Sequence, residues 1–222
     1  MSQWIGIHFG GERTRMTEFR DGRPEALRFQ GGPDGVATLL ALDDDDDFVI
    51  GAEAEEIRRN RPERCVWNLP SLLYPFSRSG VVGLPIGNNS SQLKLTDNGD
   101  AVVAIDGTDY TGHELVGAFF ALLCEEVALS RGRDVENVAI AIPQGATLRH
   151  RSALKQIAVD AGWENVRLLP EPGAAALGAY YKSDDEREIC VISVGYGESS
   201  VAVVSADVGV YELTIVSTEK LP

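Results

Sequence analysis

The sequence predicts an α/β fold, with a mixed β-sheet, flanking helices and an inserted subdomain. Three observations lead there. The chain opens and closes on alternating strands joined by tight glycine-containing turns. Val138–Ile142 is a short apolar run of the kind buried strands show, set between two stretches of helical periodicity. Finally, a unit recurs. Ile5–Phe19 and Val191–Val204 both read as an apolar strand, a Gly-containing turn with a Glu, and an alternating strand, followed by a turn with Asp and Gly and a third strand. The first copy continues through alternating helices and strands, whereas the second reaches Pro222 after three strands, so an incomplete second unit with unpaired strands is expected.

Taken in order, Trp4, Gly6 and His8 alternate with Ile5, Ile7 and Phe9 in a first strand over 4–10. Arg13–Phe19 is a second strand, and Arg20-Asp21-Gly22 has hairpin chemistry because glycine supplies the positive φ such turns need. Glu25–Phe29 is expected as a third strand. Gly31–Gly35 and Asp43–Asp47 punctuate a looser region, the acidic run reading as a solvated loop; Phe48–Gly51 reads as a strand. Ala52–Asn60 is a short helix stopped by Asn60-Arg61-Pro62. Residues 74–92, rich in Gly, Ser, Pro and Asn, read as loop. Leu93–Thr96, Asp97-Asn98-Gly99 and Ala101–Ile105 form a hairpin. Thr111 and Glu114 make a capping box for a helix to about Ser130, with Leu115, Phe119, Leu122, Leu123 and Val127 on its apolar face and Gly132 beyond its end. Thr147–Ala161 is a second long helix, Val166–Leu169 a strand, and Pro172 sits in the first turn of a helix to Tyr180 or Tyr181. Ile189–Val194, Ser199–Ser205 and Val210–Val216 are closing strands, with turns at Gly195-Tyr196-Gly197 and Asp207-Val208-Gly209.

Composition excludes several classes of function. The 222 residues carry 20 Lys+Arg against 34 Asp+Glu, a net charge of −14, which disfavours nucleic acid and anionic membranes because both attract Lys and Arg. No apolar run reaches the ~20 residues of a membrane span, and the N-terminus shows no signal pattern. Cys65, Cys124 and Cys190 lie far apart with no CxxC spacing, which reads as buried thiols in a reducing, cytoplasmic setting rather than a disulfide frame or zinc site.

The central blocks carry a resemblance. Val138-Ala-Ile-Ala-Ile-Pro143, followed by Arg149 through Lys155-Gln-Ile-Ala-Val-Asp-Ala-Gly162, is similar to the V-I-T-V-P…R-x-A-x-x-x-A-A-x-x-A-G block of the DnaK-type seventy-kilodalton heat-shock chaperones. Leu168-Leu-Pro-Glu-Pro-Gly-Ala-Ala-Ala-Leu177 resembles that family's N-E-P-T-A-A-A-L, and Val49–Ala52 with Asn60–Glu63 resembles its V-G-x-x-A…N-P-x-x-T stretch. Sugar and acetate kinases of the same actin-like ATPase superfamily fit less well, because the Leu168–Leu177 block is chaperone-like. The resemblance implies a ribonuclease H-like lobe from residues 1–30 and 111–187, an inserted subdomain over 31–110, and the opening strands of a second lobe over 188–222.

In that family ATP and hydrated Mg²⁺ lie between two lobes, held by two glycine loops, with carboxylates, a Lys and a Glu completing the site. Gly lets backbone N–H groups approach an anion, and a carboxylate orients the attacking water. Carried onto this chain, the first loop is Gly10-Gly11-Glu12 with His8 in place of the family's Asp. The second is Gly195-Tyr196-Gly197-Glu198 with Ser193 in place of Asp. The catalytic Lys position falls near Pro70, and no Lys precedes Lys94. Glu171 is the one surviving catalytic position. A loop Glu within ~5 Å of a phosphate oxygen repels it by roughly 1–3 kcal/mol at an intermediate dielectric. The resemblance therefore implies a degenerate domain, a pseudo-ATPase with no cofactor or metal of its own. ATP, ADP and Mg²⁺ are expected only by family analogy. The expected partners are proteins or co-chaperone-like factors, with a homodimer through residues 189–216. The alternative is the ATP- or ADP-binding first lobe of a longer chaperone.

Overall fold

The computed structural model describes residues 4–29, 35–73, 93–132, 135–143, 146–180, 187–195, 198–207 and 210–220. β1 (Trp4–Phe9) is the centre of the main sheet, and its alternation decides everything around it: Ile5, Ile7 and Phe9 are buried while His8 is exposed. On one side β1 pairs antiparallel with β2 (Arg13–Arg20), which pairs with β3 (Arg23–Ala26). On the other it pairs parallel with β11 (Asn137–Ile142), itself parallel to β12 (Asn165–Pro170). The order is β12-β11-β1-β2-β3, with β4 (Val36–Ala37) added at the Arg13–Thr14 end of β2.

The buried face of this sheet rests on two helices. α3 (Gly112–Arg131) contributes Leu115, Val116, Phe119, Phe120, Leu123 and Val127, and α4 (Leu148–Asp160) contributes Leu154, Ile157 and Ala158. Aromatic rings lock the centre. Phe9 stacks on Phe119 at 5.9 Å between centroids and meets Phe120 edge-on at 5.0 Å, and Phe120 meets Trp163 edge-on at 5.7 Å. Such pairs contribute about 0.5–1.5 kcal/mol each beyond the area they bury. α3 begins with the expected capping box: the Glu114 carboxylate accepts from the Thr111 amide at 2.7 Å and hydroxyl at 2.8 Å, while the Glu114 amide donates to the Thr111 hydroxyl. Gly132 closes the helix in the left-handed conformation.

At its far end α3 is tied to the sheet by charge. Glu18 on β2 is 5% exposed and its carboxylate accepts from Arg131, in the last turn of α3, and from Arg20 at 3.0 Å. Removing Glu18 would take away a buried carboxylate that faces a largely buried guanidinium.

Between β4 and α3 lie two small sheets. β5 (Leu39–Leu42) is flanked by β6 (Phe48–Val49) and β7 (Cys65–Trp67), with α1 (Gly51–Asn60) packed against it. β8 (Leu93–Leu95), β9 (Ala101–Ile105) and β10 (Thr108–Thr111) form an antiparallel meander leading into α3. α2 (Pro70–Leu73) packs against α3, where the Leu72 backbone comes so close to Gly112 that any side chain there would meet it at 2.7 Å. The guanidinium of Arg149, in the first turn of α4, reaches the β8–β9 turn, donating to the Asn98 carbonyl at 2.9 Å and to Asp100 at 2.7 Å. α5 (Glu171–Tyr180) lies against β11, β12 and the last sheet, β13 (Arg187–Val194), β14 (Glu198–Asp207) and β15 (Val210–Lys220). On β13, Ile192 and Val194 are 69% and 77% exposed.

Several local expectations need correction. The third strand is Arg23–Ala26 rather than Glu25–Phe29, because the two-residue turn with Asp21 and Gly22 at positive φ starts pairing at Arg20–Arg23. β5, β7, β10 and α2 had no sequence counterpart. The acidic run is solvated as expected, with Asp44–Asp47 exposed, and it is also held as an ordered turn. The Asp43 carboxylate accepts from the Asp45 and Asp47 amides at 2.9 Å, and Arg64 donates to the Leu42 and Asp43 carbonyls, to Asp46 and to Asp106. The Asp46 hydrogen bond and nearby carboxylates hold the Arg64 pKa above its ordinary value despite an opposing desolvation effect. The loop expected over 74–92 lies outside the described residues.

Two outcomes follow from these contacts. Glu18→Ala should destabilise the fold by about 3–5 kcal/mol in urea titration, as expected for breaking a buried pair, while Arg20→Ala, at an exposed partner, should cost no more than about 1 kcal/mol. The hydrogen bonds from the Thr111 amide and then its hydroxyl hold the Glu114 pKa below 4.5. A depressed folded-state pKa gives stability that is present above the unfolded value and lost as pH falls through the folded one. The stability difference between wild type and Glu114→Gln should therefore be largest above pH ~4.5 and shrink in more acidic solution, read from thermal melts across pH.

Candidate functional site

Two elements far apart in sequence meet at the C-terminal end of β1. His8 is the last outward-facing residue of β1, and Glu171 opens α5 directly after β12. Because β1, β11 and β12 run parallel, their ends lie on the same side of the sheet, which is where such sheets place their sites. The imidazole Nε2 of His8 lies 3.2 Å from Glu171 Oε1, with side-chain exposures of 45% and 23%. Pro172, buried behind Glu171, suits the first turn of α5, where its missing N–H is not needed.

The loop after β1 is built tightly. The Thr38 hydroxyl donates to the Gly10 carbonyl at 2.6 Å, so the Thr14 hydroxyl, 2.9 Å from Thr38 Oγ1, donates to Thr38 in turn. Both threonines are buried, and the Thr38 amide donates to the Glu12 carbonyl at 2.9 Å. Gly10 is required by close approach. A Cβ there would lie 2.8 Å from the Arg13 carbonyl oxygen and 3.0 Å from His8 Cε1, so the imidazole sits directly against this glycine. Gly11 is half-buried and the Glu12 side chain is exposed.

Of the residues singled out from sequence, the structure joins His8, Gly10 and Glu171. Ser193 and Gly195 stand at the end of β13, and among the described residues no hydrogen bond or ion pair links them to the first loop. Tyr196 and Gly197 lie outside the described residues, and nothing is described of the Glu198 side chain. Sequence reading missed the His8–Glu171 contact itself, because the two are 163 positions apart. It also missed the roles of Thr14 and Thr38. The signal for Thr14 was a hydroxyl at an inward-facing strand position, one that needs a partner when buried, while Thr38 sits in the bend between β4 and β5. Among the described residues, no group of three or more His, Cys, Asp or Glu could hold a metal ion, and no helix is long and apolar enough to cross a membrane. Of the three thiols expected to be buried only Cys65 is, and desolvation pushes it up to about 11 against the opposing pull of Arg58; Cys124 is half-buried and Cys190, on β13, is exposed.

A protein-family model described as Hsp70 protein matches residues 4–220. The chain belongs to the Hsp70 family. The mixed sheet with its parallel β1-β11-β12 half and antiparallel β2 and β3 is accordingly the actin-like ATPase lobe of an Hsp70 nucleotide-binding domain. In this Hsp70 chain the His8 Nε2 is turned to Glu171 at the end of β1, and Pro70 begins α2.

Gly10→Ala tests the tightness of this loop. The added methyl must displace backbone or imidazole, so a loss of about 1–3 kcal/mol is expected in chemical denaturation, with changed NMR shifts at His8.

Proposed function

We propose that this chain is a non-hydrolysing module of the Hsp70 family, which keeps the ATPase scaffold and acts through protein contacts. The observation that carries this reading is the His8–Glu171 contact: the one catalytic carboxylate left in the chain is engaged by the residue standing where the family has Asp. The absence of any Lys before Lys94 supports it independently. Partners on this reading are proteins, and self-association through residues 189–216 is the form the exposed Ile192 and Val194 favour. A cytoplasmic setting agrees with three free cysteines.

Isothermal titration with ATP and Mg²⁺ tests the reading. No binding heat is expected from this chain at micromolar ligand, and saturable micromolar binding would overturn it in favour of a nucleotide-binding first lobe. Sedimentation at rising protein concentration tests self-association, which Ile192→Asp should abolish.

A further inference from the structure

The alternation of β1 that buries Ile5, Ile7 and Phe9 turns His8 to the opposite face of the sheet. A carboxylate can only accept a hydrogen bond, so the 3.2 Å contact with Glu171 puts the proton of the neutral ring on Nε2 and leaves the lone pair on Nδ1. Among the described residues nothing hydrogen-bonds to Nδ1. That nitrogen lies 3.5 Å from the point a Gly10 Cβ would occupy, so Gly10 sets no side chain against it. Directly across the ladder from His8 stands Arg15, on the same face, exposed, and paired with no carboxylate among the described residues. Facing residues of an antiparallel pair have Cβ atoms about 4.5–5.5 Å apart, within reach of a guanidinium. A ring oriented by a carboxylate through one nitrogen, with the other nitrogen open beside a cation, is the arrangement of a nucleophile for an anionic electrophile.

We propose that His8 is a phosphoryl-accepting nucleophile, held by Glu171 as a positioning residue, with Arg15 drawing in the phosphoryl group of a small P–N phosphoryl donor. The Nδ1 lone pair forms the new N–P bond as the P–N bond of the donor breaks, and the donor nitrogen leaves as the neutral amine with the protons it already carried. The ring keeps its Nε2 proton, so the phosphorylated imidazole bears a positive charge that faces the Glu171 carboxylate. No nucleotide, magnesium ion or second lobe takes part, so this proposal stands or falls separately from the family reading.

Phosphoramidate is the probe, applied to the full chain. The protein holds three histidines, which makes His113, exposed on α3, and His150, whose Nδ1 accepts from the Thr147 amide, internal controls. The expected result is one phosphoryl group, labile to acid and stable to base, mapped to His8 and formed at least roughly tenfold faster than at His113 or His150. His8→Gln should remove it. Glu171→Ala should slow labelling at His8 alone and shift its ¹⁵N tautomer signature away from Nε2–H, and Arg15→Gln should raise the phosphoramidate concentration needed for half-maximal rate. Equal labelling of the three histidines in the wild-type protein, or an unchanged His8 rate in Glu171→Ala, would overturn the proposal.

Discussion

The packing of Phe9 against Phe119 and Phe120 is the constraint from which the rest of the molecule follows. It fixes which face of β1 is inside, and with a side-chain period of two it also fixes that His8 is outside. A slip of one residue would bury the imidazole and expose three large apolar side chains. The same packing sets the height of α3, so that Thr111 caps it at one end and Arg131 meets Glu18 at the other.

The site inherits its geometry from that frame. Parallel pairing brings the ends of β1, β11 and β12 to one side, and α5 starts where β12 stops, which places Glu171 within reach of His8 at the exit of β1. What the first loop does with this placement depends on one side chain. An aspartate at position 8 would repel Glu171 unless a cation stood between them, whereas an imidazole satisfies it directly. The Hsp70 scaffold is kept, and at its centre the imidazole of His8 meets Glu171 within the chain.

Much of the frame was legible in the sequence because it rests on local signals. The Thr111–Glu114 box, the turn at Asp21-Gly22 and the apolar run at 138–142 each declare an element within a few residues, and each element formed there. The misses have physical reasons. β5, Leu39-Leu40-Ala41-Leu42, is buried on both faces, so it shows no alternation and offers no period to read. β7 and β10 are short strands of three and four residues whose pairing is set by neighbours rather than by their own pattern. The acidic turn is solvated as it reads, but its order was not legible because Arg64, its organiser, comes later in the chain and contacts it only in three dimensions. Charge and hydrogen-bond partners at long separation leave no periodic trace. For that reason the loop glycines could be found from sequence while the His8–Glu171 pair could not.

Thr38 deserves a mechanical reading. One continuous stretch of backbone runs from β4 in the main sheet to β5 in the neighbouring one, and Thr38 is the residue at which it changes sheets. Its hydroxyl and amide hold the carbonyls on both sides of Gly11. Displacement of the β5 sheet is thereby transmitted to the loop at the mouth of β1 through a lever one residue long. Leu40 and Leu42 of the same strand join the cluster around Phe9, Phe119 and Phe120, so the loop and the aromatic core share one support.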